Sequence, residues 1–420
     1  MNGKQRLLAA IAHQEADRPP IDMGATSVTG MHAGTMSLLR DALGLEHRPV
    51  KVHEVFQQLG YPEEDLLDAL GVDVVGLWGY RNFVGVRNRN YQPYDIPHGI
   101  PGLISGDFAY DIRPDGSRVA YPQGDRSLPP SMHMPAGGYF FDGITRGTAT
   151  ADDCPDARED YRGVYTVMTD EEARYYEEES RRLAQGGRGV VGLFGGAGFG
   201  DVAYLPGVDL RQPRGIRSVE EWMMTFVLYP EYVHEVFSMQ LEAGLKNLEI
   251  YREAVGDRIQ VIMMGGTDYG TQISLMQSAE TYRTFYKPYV KKMNDWVHEH
   301  TNWKTFYHSC GAVYPLIGDF IEAGVDILNP VQVTAAGMDP VAIKKNYGDR
   351  LTFWGGGVDT QHALPFGTPE ECRANARAML DVFAPGGGYV FNSIHNIQAK
   401  TPVENILAVF DEARSYRFHH

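Results

Sequence analysis

Residues 304–330 read KTFYHSCGAVYPLIGDFIEAGVDILNP. Two short apolar runs, Lys304–Cys310 and Asp326–Pro330, flank a segment with helical periodicity, Val313–Ala323. Near-continuous apolarity in so short a run predicts a strand buried on both faces, the condition of strands in a parallel sheet. A helix between two such strands is a βαβ unit.

The unit repeats in both directions along the chain. Upstream lie Ile21–Gly24 (IDMG), Val72–Gly79 (VDVVGLWG), Val190–Gly196 (VVGLFGG) and Ile259–Gly265 (IQVIMMG); downstream lie Leu351–Gly357 (LTFWGGG) and Tyr389–Ile394 (YVFNSI). Helical patterns separate them at Asp170–Gln185, Ser218–Ala254, Ser278–His300, Pro369–Phe383 and Pro402–Tyr416. Thr169 ahead of an acidic first turn, and Thr368-Pro369 and Thr401-Pro402, are N-terminal helix signals. Eight strand candidates alternating with helices predict an α/β fold, a (β/α)8 TIM barrel over residues 1–420 with an N-terminal helical extension. A doubly wound open sheet is the rival; it usually has fewer strands and a phosphate loop early in the chain.

One segment breaks the alternation. Arg81–Ile144 is rich in Tyr, Pro and Gly, and Pro114-Asp115-Gly116 predicts a hairpin turn between AYDIR and RVAYP. This β-rich insertion, 81–144, is expected to cap the pocket, since long excursions between barrel strands are usually functional; the plain alternative is a solvated appendage.

Composition excludes several classes. Hydrophobic residues make up 43% and charged residues 22% of the 420, a globular balance. With 38 Lys and Arg against 54 Asp and Glu the charge is −16, which argues against nucleic acid and, without a local basic patch, against a substrate with many carboxylates. Cys154, Cys310 and Cys372 are too few and scattered for a disulfide framework. No apolar run is long enough to span a membrane, and the opening MNGKQRLLAAIAHQEADRPP reads as an amphipathic helix without a signal-peptide core, so a cytoplasmic location is expected. The terminal His419-His420 is left aside.

A (β/α)8 barrel carries its chemistry at the C-terminal ends of its strands. That rule singles out Asp268 in GGTDYGTQ, His308 and Cys310 in HSCG, Asn329 in NPVQ, and Asn392 and His395 in NSIHN. His308 and Cys310 stand two apart, so on a strand their side chains share a face. Imidazole and thiolate are zinc ligands, and a catalytic zinc takes about three protein ligands. His395 and Asp268 are candidates to complete the set, with Asp268 also the candidate catalytic residue. Each residue has a plainer reading: a small core cysteine, a histidine on a backbone carbonyl, an aspartate capping a turn. Cys154 and Cys372 are not placed as ligands. Candidate substrate contacts are His32, Tyr121, Arg126, Tyr139, Phe140, Asn329 and Asn392. The glycine strings GGAGFG and GGG lack dinucleotide-binding spacing and are expected only to let backbones approach.

Four stretches resemble the uroporphyrinogen decarboxylase superfamily, which includes zinc-dependent, corrinoid-linked methyltransferases. They are KQRLLAAIAHQEADRPPID, GGTDYGTQ with TYRTFYKPYVKKM, FYHSCGAVYPLIGDFIEAGVDILNPVQ, and GGGYVFNSIHNIQAKTPVENILAVF. The resemblance implies a barrel with its pocket at the strand C-termini. Decarboxylases of the family carry an arginine-rich element after the first strand that holds the porphyrinogen carboxylates; here IDMGATSVTGMHAGTM has no arginine between Arg18 and Arg40. The methyltransferase branch carries a His-x-Cys pair, matched by His308 and Cys310, and a later cysteine whose place His395 takes. The resemblance therefore implies a zinc methyltransferase moving a methyl group from a small methylated substrate, such as a methoxylated aromatic, to a Co(I) corrinoid. No corrinoid-binding D-x-H-x-x-G element is present, so the corrinoid is expected on a partner protein. A homodimer is compatible with the resemblance. The alternatives are transfer from a methyl-corrinoid protein to a thiol or folate, decarboxylation of a porphyrinogen-type acid, and a barrel that only binds.

Overall fold

The computed structural model describes residues 1–147, 149–150, 153 and 155–418; Cys154 and His419-His420 lie outside them. Among the described residues, seven strands form one parallel sheet, each paired with its neighbour in sequence. They are β1 (Val74–Leu77), β2 (Gly189–Leu193), β3 (Val261–Gly266), β4 (Lys304–His308), β5 (Ile327–Asn329), β6 (Thr352–Trp354) and β7 (Tyr389–Val390). The eighth position is closed by the chain at Ile21, which bridges Phe391 in parallel. The Asp22 N–H donates to the Phe391 carbonyl (2.9 Å) and the Asp73 N–H to the Ile21 carbonyl (2.8 Å). The sheet thus closes on itself as the (β/α)8 barrel. The first predicted strand, Ile21–Gly24, is reduced to this bridge because Gly24, at φ 88°, turns the chain away.

Pleating sorts the strand residues into two layers. Val74, Val191, Val261, Met263, Phe306, Ile327, Trp354 and Val390 fill the barrel interior. Their neighbours, among them Ile262, Tyr307, Leu328, Phe353 and Tyr389, face the surrounding helices. The helix Gly3–Ile11, opened by an Asn2–Gln5 capping box, sends Leu7 and Ala10 into the interior layer and plugs the N-terminal mouth. Asp73 locks that end: it takes Arg18 Nη1 at 2.6 Å, Arg6 Nη1 at 2.9 Å and the Ile21 N–H at 2.8 Å.

The predicted helices form with local changes. The segment Ser218–Ala254 is two helices, Val219–Leu228 and Pro230–Val255, parted at Tyr229, because the residue before a proline avoids helical geometry. Helices Pro369–Phe383 and Asp170–Leu183 begin with capping boxes on Thr368 and Thr169.

The insertion is β-rich, as its sequence suggests. Tyr110–Ile112 and Arg118–Ala120 form the hairpin around Asp115-Gly116 and continue into a four-stranded antiparallel sheet with Met132–Met134 and Asp142–Gly143. Gln92–Ile96 and Ile100–Ile104 join instead a second small sheet with Val50–Glu54, a strand not foreseen in the sequence. The insertion meets the barrel's upper loops where the Phe141 N–H donates to the Phe56 carbonyl (2.8 Å).

Candidate metal centre at the barrel mouth

The alternation that puts Phe306 inside β4 also puts His308 inside, one layer nearer the C-terminal mouth. In β5 the same rule turns Ile327 and Asn329 inward, and the register pairs His308 with Asn329. His308 Nδ1 lies 2.6 Å from Asn329 Oδ1, and Asn329 Nδ2 donates to the Trp354 carbonyl at 2.9 Å. That carbonyl can only accept, so Asn329 is oriented with its oxygen toward the imidazole. His308 therefore carries its proton on Nδ1, and Nε2 presents its lone pair to the mouth.

Three successive backbone N–H groups fix the turn after β4. Ser309 N–H donates to the Asn329 carbonyl at 2.7 Å, Cys310 N–H to Asp268 Oδ1 at 2.8 Å, and Gly311 N–H to Gln332 Oε1 at 2.7 Å. Gly311 sits at φ 89° with the Gly270 backbone where a Cβ would be, 2.5 Å from its carbonyl carbon. This close approach requires glycine and holds the Asp268 loop against the Cys310 turn.

The result is a cluster. Cys310 Sγ is 3.2 Å from His308 Nε2, and the ligand atoms of His308, Cys310 and His395 all lie within 4.8 Å of one another. The two imidazoles meet edge to face with centroids 5.5 Å apart. Burial, then the neighbouring His308 imidazole, lowers His395 to about 4, so its imidazole is neutral near pH 7. Burial, then the carboxylate of Asp268, pushes the Cys310 thiol above its ordinary range. Asp268 Oδ1 lies 3.7 Å from His308 Nε2 and is half-exposed toward the mouth. Donors around a tetrahedral zinc, with bonds of roughly 2.0–2.3 Å, stand roughly 3.3–3.8 Å apart. The two imidazoles and the sulfur, with the hydrogen-bonded back of His308, are a donor set of the kind that could hold such an ion after a small approach of the side chains.

Other residues near the mouth carry no local sequence signal. Asp201, in the loop after β2, is raised to about 8 by burial and then by the charge of Asp268. Glu54 is raised to about 7 by burial while accepting the Phe56 and Gln57 N–H groups. The rings of Phe56, Phe83 and Tyr204 touch in series, each pair 4.8 Å apart, joining the Val50–Glu54 sheet, the insertion and the Asp201 loop. Gln332, two residues beyond Pro330, is buried beneath the Cys310 turn.

The remaining candidates are spread out. Asn392 is buried, donating from Nδ2 to the Asp22 and Thr29 carbonyls, and its Oδ1 has no partner. His32 caps the helix Ala33–Ala42: Nδ1 accepts from Gly34 N–H (3.1 Å) and Nε2 faces the Tyr139 carbonyl (3.2 Å). Tyr139 stacks on His98 at 4.2 Å, and Phe140 is exposed. Tyr121 and Arg126 both bind Asp111 within the insertion's own sheet. Cys372 is buried in its helix, its thiol on the Ala363 carbonyl.

Comparison with solved structures places a methyltransferase from Methanosarcina mazei alongside this chain with a TM-score of 0.56 and 17% identity, over 99% of this chain and 98% of that one. Xylanase XylE from Penicillium canescens aligns over 59% of this chain and 80% of its own at TM-score 0.35 and 13% identity. Xylanase B from Clostridium stercorarium aligns over 58% and 84% at TM-score 0.35 and 10% identity. No curated protein sequence matches the chain. The uroporphyrinogen decarboxylase (URO-D) family model matches residues 209–416, the span that holds β3 to β7 and every member of the His308–Cys310–His395 cluster. Residues 209–416, the C-terminal part of a closed (β/α)8 barrel, are thus similar to the uroporphyrinogen decarboxylase family.

Proposed function

We propose that the protein is a zinc-dependent methyltransferase that takes a methyl group from a small methylated substrate and gives it to a Co(I) corrinoid carried by a separate protein. The observation that carries this reading is the convergence of His308, Cys310 and His395 at the C-terminal mouth of the barrel. A bound zinc there would act as a Lewis acid on the substrate's leaving atom.

The chain's own residues supply the rest. Asn329 holds His308 in the tautomer that leaves Nε2 free. His395 is neutral at working pH and needs no proton removed before it can act as a ligand. Asp268, held by the Cys310 N–H, orients the substrate at the mouth. When the carbon–oxygen bond of a methyl ether breaks, its electron pair stays on oxygen, which then takes a proton. Asp201 keeps its proton at neutral pH and lies within the electrostatic reach of Asp268, so it is the donor we assign. The Phe56–Phe83–Tyr204 series, with the insertion behind it, forms the aromatic side of a cap.

The test is to mix the zinc-loaded protein with a reduced corrinoid protein and a panel of methoxylated compounds, and to follow the corrinoid spectrum. Methylation of the corrinoid that is lost in Cys310→Ala supports the reading. A protein that methylates the corrinoid with none of the panel, but transfers methyl from a methyl-corrinoid to a thiol or folate, would reverse the direction assigned here.

A further inference from the structure

The glycine string GGAGFG, residues 195–200, leads from β2 to a cavity of about 320 Å3. Gly200 lines both this cavity and the small space bounded by Asp268, so the cavity lies on the Asp268 side of the cluster. Its wall includes Arg217, which is only 3% exposed.

Arg217 is unusual for a buried arginine. Its Nε donates to the Arg214 carbonyl at 2.7 Å and its Nη2 to the Asp160 carbonyl at 3.3 Å, and the guanidinium lies 4.6 Å from the centre of the Tyr161 ring. Among the described residues no carboxylate comes within ion-pair distance of it. The acids that face it are Asp160, whose carboxylate accepts from the Tyr232 hydroxyl at 3.0 Å, and Asp209, whose carboxyl burial pushes up. A second cation, Arg146, stands nearby on the Gly207 and Leu210 carbonyls, its Nε buried without a partner. Among the described residues the guanidinium is thus held by backbone carbonyls and a ring face, with its acids beyond ion-pair distance, a buried position that a ligand's negative charge would stabilise.

We infer that Arg217 is the seat for the carboxylate of an organic acid, whose body fills the cavity between Tyr165 and Tyr204 and whose methyl-bearing end reaches toward Asp268 and the cluster. The planar fork of arginine matches a carboxylate. The cavity is near the lower limit of small-molecule sites, roughly 300 Å3, which suits a single-ring acid. A chain of net charge −16 thus carries a local basic patch sized for one carboxylate. That this acid is the methyl donor rests on the methyl-transfer reading above; the carboxylate seat itself does not.

Isothermal titration of the full chain with 4-methoxybenzoate, methoxybenzene and 4-methoxybenzylamine tests the seat. The acid is expected to bind about tenfold or more tighter than the neutral and cationic compounds, the worth of one charge-assisted bidentate pair. Arg217→Gln should erase that preference, and Arg217→Lys should restore part of it. Should Arg217→Gln fail to fold, Ala243→Leu fills the cavity from the helix Pro230–Val255 without touching the arginine, and should weaken the acid to a similar degree. Equal binding of all three compounds, or an acid preference that survives Arg217→Gln, overturns the inference. A zinc-loaded protein with no acid preference overturns the seat and leaves methyl transfer standing. Acid preference in a protein that retains no zinc supports the seat and refutes the zinc reading.

Discussion

His308 Nδ1 and Asn329 Oδ1 are 2.6 Å apart, and Asn329 is itself pinned by the Trp354 carbonyl. The amide therefore sets both the tautomer and the aim of the imidazole from behind. Replacing Asn329 with Ala frees the ring to turn and removes the acceptor that favours Nδ1–H. Zinc affinity should fall about 10–100-fold, the usual effect of losing such a support. Competition with a chromogenic chelator measures it, and the far-ultraviolet circular dichroism should not change.

Gly311 is a second support. Its Cβ position is occupied by the backbone of Gly270, and its φ of 89° is unfavourable for any other residue. Gly311→Ala must push the Asp268 loop away from the Cys310 turn. We expect a loss of about 1–3 kcal/mol in stability, read by urea denaturation, together with weaker zinc retention.

At the opposite end of the barrel, Asp73 is buried between Arg18 and Arg6. Asp73→Ala strands Arg18, which is 8% exposed, without its carboxylate. Breaking a buried pair from one side costs about 3–5 kcal/mol, so the melting temperature should drop sharply. The Cys310 region is at the other mouth, and zinc bound per folded chain should be unchanged.

Asp201 gives a pH-dependent prediction. Its carboxyl is raised to about 8, mainly by burial, from an ordinary value near 3.8. Between those values the unfolded chain has lost this proton and the folded chain still holds it, so stability from this group is full below about 3.8 and declines as pH rises toward 8. Asp201→Asn keeps the acceptor for the Ala203 N–H but cannot titrate. The variant should gain on the parent in melting temperature from pH 4.5 to pH 8, with little further change above. A constant difference across that range would contradict the assignment.

The barrel was legible because each strand announces itself locally, by unbroken apolarity ended by glycine or proline. His308 and Cys310 were legible as a pair two residues apart at a strand end, although the strand stops at His308 and Cys310 stands in the turn after it, and His395 came from its place in the loop after the last strand. Asn329 was legible as a mouth residue, yet its position behind His308 depends on the β4–β5 register, which no local pattern states. Asp201, Gln332 and Arg217 lie on loops, and only the closed barrel brings them to the mouth. The break at Tyr229 was written in Pro230, whereas the Val50–Glu54 strand is short and half-polar and pairs with Ile100–Ile104 far along the chain.

Zinc content of the purified protein is the most direct test of the account. Metal analysis by mass spectrometry should find about one zinc per chain, retained on dialysis, and lost in Cys310→Ala and in His395→Ala while both variants keep their circular dichroism. A well-folded parent protein that binds no zinc when offered it, or variants that bind it as tightly as the parent, would contradict a metal centre at His308, Cys310 and His395.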